Sequence, residues 1–466
     1  MQLSSNDHNN FPLEKFESML KTNSVLFFDS DEFEVIVHHY LENGKMALAK
    51  KATKLGLEQH PASINLKLYR IEIYIFEDKL EVAESLLDEL ELLEPNNEEI
   101  YIQKANIYSR RNAHTEAIRL LEKALETTTN HADVYSLLGM EYLFMEDHGH
   151  AKHWFMRCLE EDEKDYSALF NIIYCFEYLE EHEAAIDYLN DFLNKDPYCE
   201  VAWHQVGKQY YKLKKYKKAL AAYDFAIISD DRFIGAYLEK GRVLEKMKKY
   251  HEAIESYSIT LGLDDPTSYA LLRMGKCYEK LGNVEMALQF YTKCVEEDTL
   301  LDKGWIAITD FYIKNKQFQK ALYYIEKAIN IDAQNVHYWK RFAKINNKLD
   351  LYEEAEVGYR KTLELGNYEL ETWITRGDIL INLGEFEAAV NNFNQALEFY
   401  SQNAELTYRL AGLHYTLGET AKGAFFLKDA LKAEPEFSMI IEELFPQVFQ
   451  MKAVVEIIKQ HKNPSL

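Results

Sequence analysis

Hydrophobic and polar residues follow one another along most of this chain with the spacing of paired amphipathic helices. In residues 201–231 the apolar side chains recur at helical spacing in two blocks, separated near the polar stretch 212–216, KLKKY. Apolar residues three and four positions apart lie on one face of a helix. The segment therefore predicts a helix, a short turn and a second helix.

Small residues recur at a fixed interval of 34 positions. Steps of 34 residues in both directions from Ala219 meet Ala49, Ala83, Ala117, Ala151, Ala185, Ala253, Ala287, Ala321, Ala355, Ala389 and finally Gly423. A second small position lies twelve residues earlier and holds Ala105, Gly139, Gly207, Gly241, Gly275, Ala343, Gly377 and Ala411. Antiparallel helices approach closely only where the facing side chains are small, so the interval predicts a repeated helix pair.

The interval predicts about twelve repeats, uninterrupted from residue 30 to residue 437. Their expected starts are residues 30, 64, 98, 132, 166, 200, 234, 268, 302, 336, 370 and 404. Residues 1–29 are expected to form an N-terminal segment with a capping helix, and residues 438–466 to form C-terminal capping helices that shield the last apolar face. The expected fold class is all-α, a solenoid of 34-residue helix-turn-helix repeats.

One unit carries a recognisable residue pattern. Its residues are Trp203, Val206, Gly207, Tyr210, Ala219, Tyr223 and Ala226, and repeat-closing prolines stand at Pro61, Pro95, Pro197 and Pro435. This pattern resembles the tetratricopeptide repeat, and the chain resembles a long array of such repeats of bacterial cytosolic type. The resemblance implies a right-handed superhelix whose first helix in each repeat, helix A, lines a concave groove, and whose activity is binding protein or peptide segments.

Charge narrows the expected partners. The formal net charge is −24, which disfavours attraction of the whole surface to nucleic acid or anionic lipid. The charge is uneven, at −22 for residues 1–200, +6 for 201–350 and −8 for 351–466. The N-terminus lacks the features of a secretory signal, and no apolar stretch is long enough to span a membrane. Together with five scattered cysteines, this predicts a cytoplasmic protein.

Motifs for catalysis, cofactors and metals are absent from the sequence. There is no phosphate-binding glycine loop, no HExxH and no CxxC pair. His148, His150 and His153 are close in sequence, but their spacing is not a recognised ligand set, so a core or turn role is preferred. We therefore expect no enzymatic activity, no cofactor and no metal.

The helix A positions expected to face the groove are 2, 5, 6, 9, 12 and 13 of each repeat. In repeats two to five they carry an apolar set, which we call the apolar wall: Leu68, Tyr69, Phe76, Leu137, Met140, Phe144, Phe170, Tyr174 and Tyr178. Exposed apolar residues on a helix suggest a partner. The alternative is that neighbouring repeats or the chain's own N-terminal segment cover them.

In repeats six to ten the same positions carry a cationic set, which we call the basic wall: Lys208, Lys212, Arg242, Lys246, Arg273, Lys276, Lys280, Lys303, Lys340, Arg341, Lys344 and Lys348. Lysine at position 13 is common in the family, where it suits the negative end of the helix dipole. Basic residues at position 9 depart from the family pattern. A row of cations would attract an acidic protein segment.

Three hypotheses follow from these patterns. The leading one is a non-catalytic scaffold that binds a peptide or protein segment in the groove. The second is a structural subunit that self-associates into a homodimer through the apolar wall or the terminal helices. An RNA-binding role for the basic wall ranks below both, because the net charge opposes it and no regular pair of base-reading side chains recurs in the repeats.

Overall fold

The computed structural model describes residues 7–22, 26–263 and 268–462, with side chains from residue 12 to residue 461. This part of the chain is all-α and forms two compact units, 1–230 and 231–466. The N-terminal unit contains α1 (Asp7–Thr22), α2 (Ser30–Glu42), α3 (Met46–Gln59), α4 (Ile64–Phe76), α5 (Leu80–Leu93), α6 (Glu98–Arg110), α7 (His114–Leu125), α8 (His131–Phe144), α9 (His148–Glu161), α10 (Tyr166–Tyr178), α11 (His182–Lys195), α12 (Glu200–Lys212) and α13 (Tyr216–Ser229).

The C-terminal unit continues the same alternation of helices. It contains α14 (Ile234–Lys246), α15 (Tyr250–Thr260), α16 (Ser268–Lys280), α17 (Val284–Glu297), α18 (Asp302–Lys314), α19 (Phe318–Ile331), α20 (Val336–Lys348), α21 (Tyr352–Glu364), α22 (Leu370–Leu383), α23 (Phe386–Phe399), α24 (Ala404–Thr416), α25 (Thr420–Ala433), a 3₁₀ helix (Pro435–Ser438), α26 (Met439–Leu444), α27 (Pro446–Phe449) and α28 (Lys452–Lys462). Within each unit, consecutive helices pack against each other, which confirms the predicted all-α repeat array.

The glycines of the repeat pattern make room for an aromatic ring. In α8, a Cβ on Gly139 would lie 2.6–2.8 Å from three ring atoms of Phe155 in α9, closer than real contacts allow. The same arrangement recurs at Gly207 and Tyr223 and at Gly377 and Phe393. The small residue of helix A therefore receives a large ring from the second helix of its repeat, helix B, and this contact sets their close approach.

A left-handed residue ends the first helix of every repeat. Positive φ values recur at 34-residue intervals from Gly44 (φ 67°) to Gly418 (φ 80°), and eight of these positions hold residues other than glycine, such as Asp78 and Lys214. The next amide donates back to the helix, as Lys45 N does to Tyr40 O at 2.8 Å. This is the Schellman cap, which satisfies carbonyls left unpaired at a helix end and fixes the turn.

The two ends of the array are covered in different ways. Phe16 of α1 packs edge-on against Phe28 and Phe33, at centroid distances of 5.9 and 6.3 Å. At the other end, α26 and α27 lie against α24, and every residue of α24 from Leu406 to Tyr415 is buried. The C-terminal segment therefore encloses the last helix A of the array.

Candidate partner-binding surfaces

Most of the apolar wall is exposed in the N-terminal unit. Phe76 keeps 65% of its surface exposed and Leu137 keeps 38%. The values for Phe144, Phe170, Tyr174 and Tyr178 lie between these two. Tyr69 and Met140 are partly buried. Leu68 is only 5% exposed, because it packs into the core with α5, and so it offers almost no surface to a partner.

Two of the exposed rings are held in place by histidines. His148 stacks on Tyr178 with ring centroids 3.5 Å apart, and His114 stacks on Phe144 at 5.5 Å. His114 Nδ1 is itself 2.8 Å from a carboxylate oxygen of Glu141. These contacts limit the rotamers of the two rings, so ordering them in a further contact would cost less side-chain entropy.

The three histidines considered as metal ligands have separate partners. His148 Nδ1 is 2.8 Å from the Glu146 carbonyl oxygen, and His150 Nδ1 is 2.8 Å from an Asp147 oxygen. His153 contacts the Trp154 ring. Within residues 7–22, 26–263 and 268–462, no group of three or more His, Cys, Asp or Glu residues is arranged to hold a metal ion.

A pocket of about 400 Å³ lies where the first helices of three repeats, α2, α4 and α6, meet. We call it the acidic pocket. Its lining is Glu34, His38, Asn65, Leu68, Tyr69, Glu72, Glu99 and Gln103. The predicted apolar wall includes Leu68 and Tyr69 of this lining and none of its carboxylates. The signal was available, because Glu34, Glu72 and Glu99 occupy inward positions 5, 9 and 2.

Apart from His38, the described residues bring no cationic side chain to the carboxylates of the acidic pocket. Glu34 and Glu99 accept hydrogen bonds from the Asn65 and Gln103 amides, each at 3.0 Å, and no lysine or arginine of the described chain pairs with them or with Glu72. Burial is the main cause that raises the pKa of Glu99, and the charge of Glu72 raises it further. The buried Oε1 of Gln103 has no donor among the described residues. The pocket therefore suits a cationic donor.

Much of the basic wall is paired within the C-terminal unit. Arg273 makes a bidentate ion pair with Glu245 at 2.8 and 2.7 Å, and Arg341 makes another with Asp310 at 2.8 and 3.1 Å. Other pairs join Arg242 to Glu239, Lys340 to Glu369 and Glu371, and Lys344 to Glu371. Asp310 interrupts the row of cations at position 9, and the carboxylates of the other pairs stand at other positions of the repeats.

Four cations of the basic wall line a second pocket, of about 440 Å³, between α14, α16 and α18: Lys246, Arg273, Lys276 and Lys280. We call it the lysine pocket. Its three carboxylates pair with other cations, Glu245 with Arg273, Glu279 with Lys314 and Asp310 with Arg341. Burial, with Arg273 as the next cause, lowers the pKa of Lys276. Lys303 and Lys348 are exposed and do not line the pocket, whereas Lys208 and Lys212 belong to the N-terminal unit.

The cysteines are placed for packing. All five are free and buried. Burial is the main cause that raises the pKa of Cys158 and Cys277 to about 12, so both thiols stay protonated near neutral pH. A nucleophilic cysteine needs a lowered pKa.

Among the described helices, none combines the length and the apolarity needed to cross a membrane.

Comparisons with known proteins match several stretches of the chain to repeat families. Profiles described as tetratricopeptide repeat match residues 101–135, 132–165, 167–197, 234–258 and 269–298. A profile described as TPR repeat matches residues 377–418. No curated protein matches the chain.

The similar solved structures include the following three. A tetratricopeptide repeat protein from Parabacteroides merdae is 14% identical, with coverage of 53% of this chain and 97% of that one and a TM-score of 0.39. YrrB, described as a TPR protein with an unusual peptide-binding site, is 15% identical. The match covers 40% of this chain and 97% of YrrB, with a TM-score of 0.33. A chain of the APC/C hetero-tetramer Cut9–Hcn1 is 12% identical. The match covers 97% of this chain and 95% of that one, with a TM-score of 0.36.

The residue pattern, the paired helices and the family profiles agree with one another. The tetratricopeptide fold is typically a non-catalytic scaffold for protein–protein interactions. The matched stretches of the chain, residues 101–165, 167–197, 234–258, 269–298 and 377–418, are tetratricopeptide repeats.

Proposed function

We propose that the N-terminal unit is a non-catalytic scaffold that binds a basic, amphipathic segment of a partner protein on its helix A surface. The observation that carries this is the combination of the acidic pocket with the exposed rings of the apolar wall. Glu34, Glu72 and Glu99 have no Lys or Arg partner in the described chain, and Phe76 is largely exposed in the same repeat as Glu72. The free buried thiols favour a reducing compartment such as the cytoplasm.

The two parts of this surface would contribute differently to binding. The partly buried carboxylates would pair with lysine or arginine of the partner, in a setting less screened than open water. The rings would cover the apolar face of the segment and attract its cations through their π faces. An amphipathic helix carries both features, on opposite sides or in alternating turns.

This proposal predicts tight binding of a labelled amphipathic peptide of lysine and leucine, measured by fluorescence anisotropy with the full chain. Changing Glu34, Glu72 and Glu99 together to glutamine is expected to weaken binding tenfold or more, which is about 1.4 kcal/mol. Affinity should also fall as the pH drops through the raised pKa of Glu99, because the cation binds the ionised carboxylate.

The matched control removes the same charge elsewhere in the unit. It changes the exposed carboxylates Glu89, Glu122 and Glu161 on helices α5, α7 and α9 to glutamine. An equal loss in both variants would show only long-range attraction by net charge and would contradict the proposed site. If the peptide fails to bind and light scattering shows a dimer, the result supports the homodimer hypothesis instead.

A second candidate function belongs to the C-terminal unit, which we propose binds an acidic segment in the lysine pocket. It is favoured by Lys246, Lys276 and Lys280, which have no ion-pair partner within the described residues. Burial lowers the pKa of Lys276. An anion in this pocket would favour the charged form of that amine. The cost of burying that amine is then offset by the ligand.

The test uses the same peptide with glutamate in place of lysine. Changing the three lysines of the pocket to glutamine should weaken its binding about tenfold, which is about 1.4 kcal/mol. The control changes the exposed Lys316, Lys428 and Lys432 of the same unit and should leave binding within about twofold, consistent with weak surface contributions. Equal losses in the two variants would refute the pocket as the acidic-segment site.

A further inference from the structure

A third pocket lies in the N-terminal unit between α3 and α4, away from the helix A surface described above. Its volume is about 430 Å³, within the range of small-molecule sites. Its lining is Lys50, Thr53, Lys54, Leu57, Glu58, Arg70, Ile73, Tyr74 and Glu77. Leu57, Ile73 and the Tyr74 ring supply apolar walls, and no residue of the acidic pocket takes part.

Arg70 is the unusual member of this lining. Its Nε is buried and has no acceptor among the described residues. Its guanidinium forms no ion pair with any carboxylate that the structure describes. The two carboxylates of the pocket serve other cations, since Glu77 pairs with Lys50 and Glu58 lies 4.0 Å from Lys54. A partly buried guanidinium without an acceptor costs stability.

Two other repeats of the same chain show how a cation at this place is paired. Arg70 stands at position 7 of its repeat, as do Lys104 and Arg376. Lys104 Nζ lies 2.5 Å from Asp88 and 2.5 Å from Glu91, both on helix B of the preceding repeat. Arg376 pairs with Glu356 at 2.7 Å, again from the preceding helix B. In these two repeats the position 7 cation is therefore satisfied across the repeat interface by a carboxylate.

The first repeat lacks that carboxylate. The residues equivalent to Glu356, Asp88 and Glu91 are Lys50, Lys54 and Leu57, each at the same position of its own repeat. Two of the three carry the opposite charge, and the third is apolar. Arg70 thus keeps its place while its internal acceptors are replaced by cations and an apolar wall.

We infer that this pocket binds a small organic carboxylate with an apolar body. The ligand carboxylate takes the place of the missing glutamate and accepts hydrogen bonds from the Arg70 guanidinium, with Lys54 adding positive charge nearby. A guanidinium and a carboxylate match in a two-point geometry. The apolar body lies against Leu57, Ile73 and the Tyr74 ring, where burying its surface contributes about 25 cal/mol per Å².

Octanoate is the probe, with octanol as its uncharged counterpart, titrated into the full chain and followed by saturation-transfer NMR. Octanoate is expected to bind at least tenfold more tightly than octanol. Arg70→Gln should remove that preference, whereas Arg119→Gln, at an exposed arginine of the same unit, should keep it. Equal binding of the two probes to the unaltered chain would overturn the proposal.

A second variant tests the site without removing the arginine. Leu57→Glu restores the carboxylate that Glu91 supplies in the next repeat. It should abolish octanoate binding and raise the melting temperature, because Arg70 then has an internal partner. Undiminished octanoate binding by Leu57→Glu would refute the inference even if Arg70→Gln failed to fold. Neither variant touches the acidic pocket, so this result is independent of peptide binding.

Discussion

Replacing Phe445 by alanine is expected to lower the free energy of unfolding of the C-terminal unit by about 3 to 5 kcal/mol, as for other buried phenylalanines. Phe445 is only 5% exposed. Its ring lies against Gly412 of α24, where a Cβ would be 2.2 Å from the nearest ring carbon. Removing the ring opens a cavity and uncovers the inward side of the last helix A.

The measurement is urea unfolding followed by circular dichroism, together with hydrogen exchange of the α24 amides. The control is Phe425→Ala in the neighbouring helix, because Phe425 is 67% exposed. Its effect should stay within about 0.5 kcal/mol, as for surface substitutions. Fast exchange should appear in α24 of Phe445→Ala alone. Similar losses in both variants would mean that the C-terminal segment does not hold α24 in place.

The repeat architecture was predictable because its cause is periodic. Where a repeat packs a glycine of helix A against a ring of helix B, the two residues stand at the same positions of the repeat, so Gly207 and Gly377 appear in phase although they are 170 residues apart. The turn conformations were harder to predict from the sequence. Lys214 and Asp78 adopt positive φ without being glycine, because the cap geometry of every repeat imposes it.

The candidate surfaces were only partly predictable, because exposure and pairing depend on neighbours from other repeats. The position of a residue on the inward side of helix A did not predict that Leu68 is buried or that Glu245 neutralises Arg273. It also did not single out Arg70. That residue stands out only when its surroundings are compared with those of Lys104. Phe445 lies outside the repeats, so no periodic signal marks its contact with Gly412.

Changing Gly139 to valine is expected to lower the free energy of unfolding by about 3 kcal/mol, the upper part of the usual range for overpacked cores. Phe155, fully buried, lies 2.6 Å from the place of the new Cβ, and the branched side chain needs still more room. The ring must leave its rotamer, or α8 and α9 must separate. Either change weakens the contact that defines the repeat.

Gly149→Ala is the matched control, because it lies in the same repeat. Gly149 is an exposed residue of α9. A Cβ added there would lie 3.6 Å from its nearest neighbouring atom, Oδ1 of Asp147. Alanine should therefore stabilise the helix by up to about 1 kcal/mol. The opposite signs of the two substitutions separate close packing from helix propensity. Because repeat arrays unfold in parts, hydrogen exchange in α8 and α9 is the direct measurement. If Gly139→Val left that exchange unchanged, the glycine would not be what permits the approach of the two helices, and the 34-residue interval would need another physical cause.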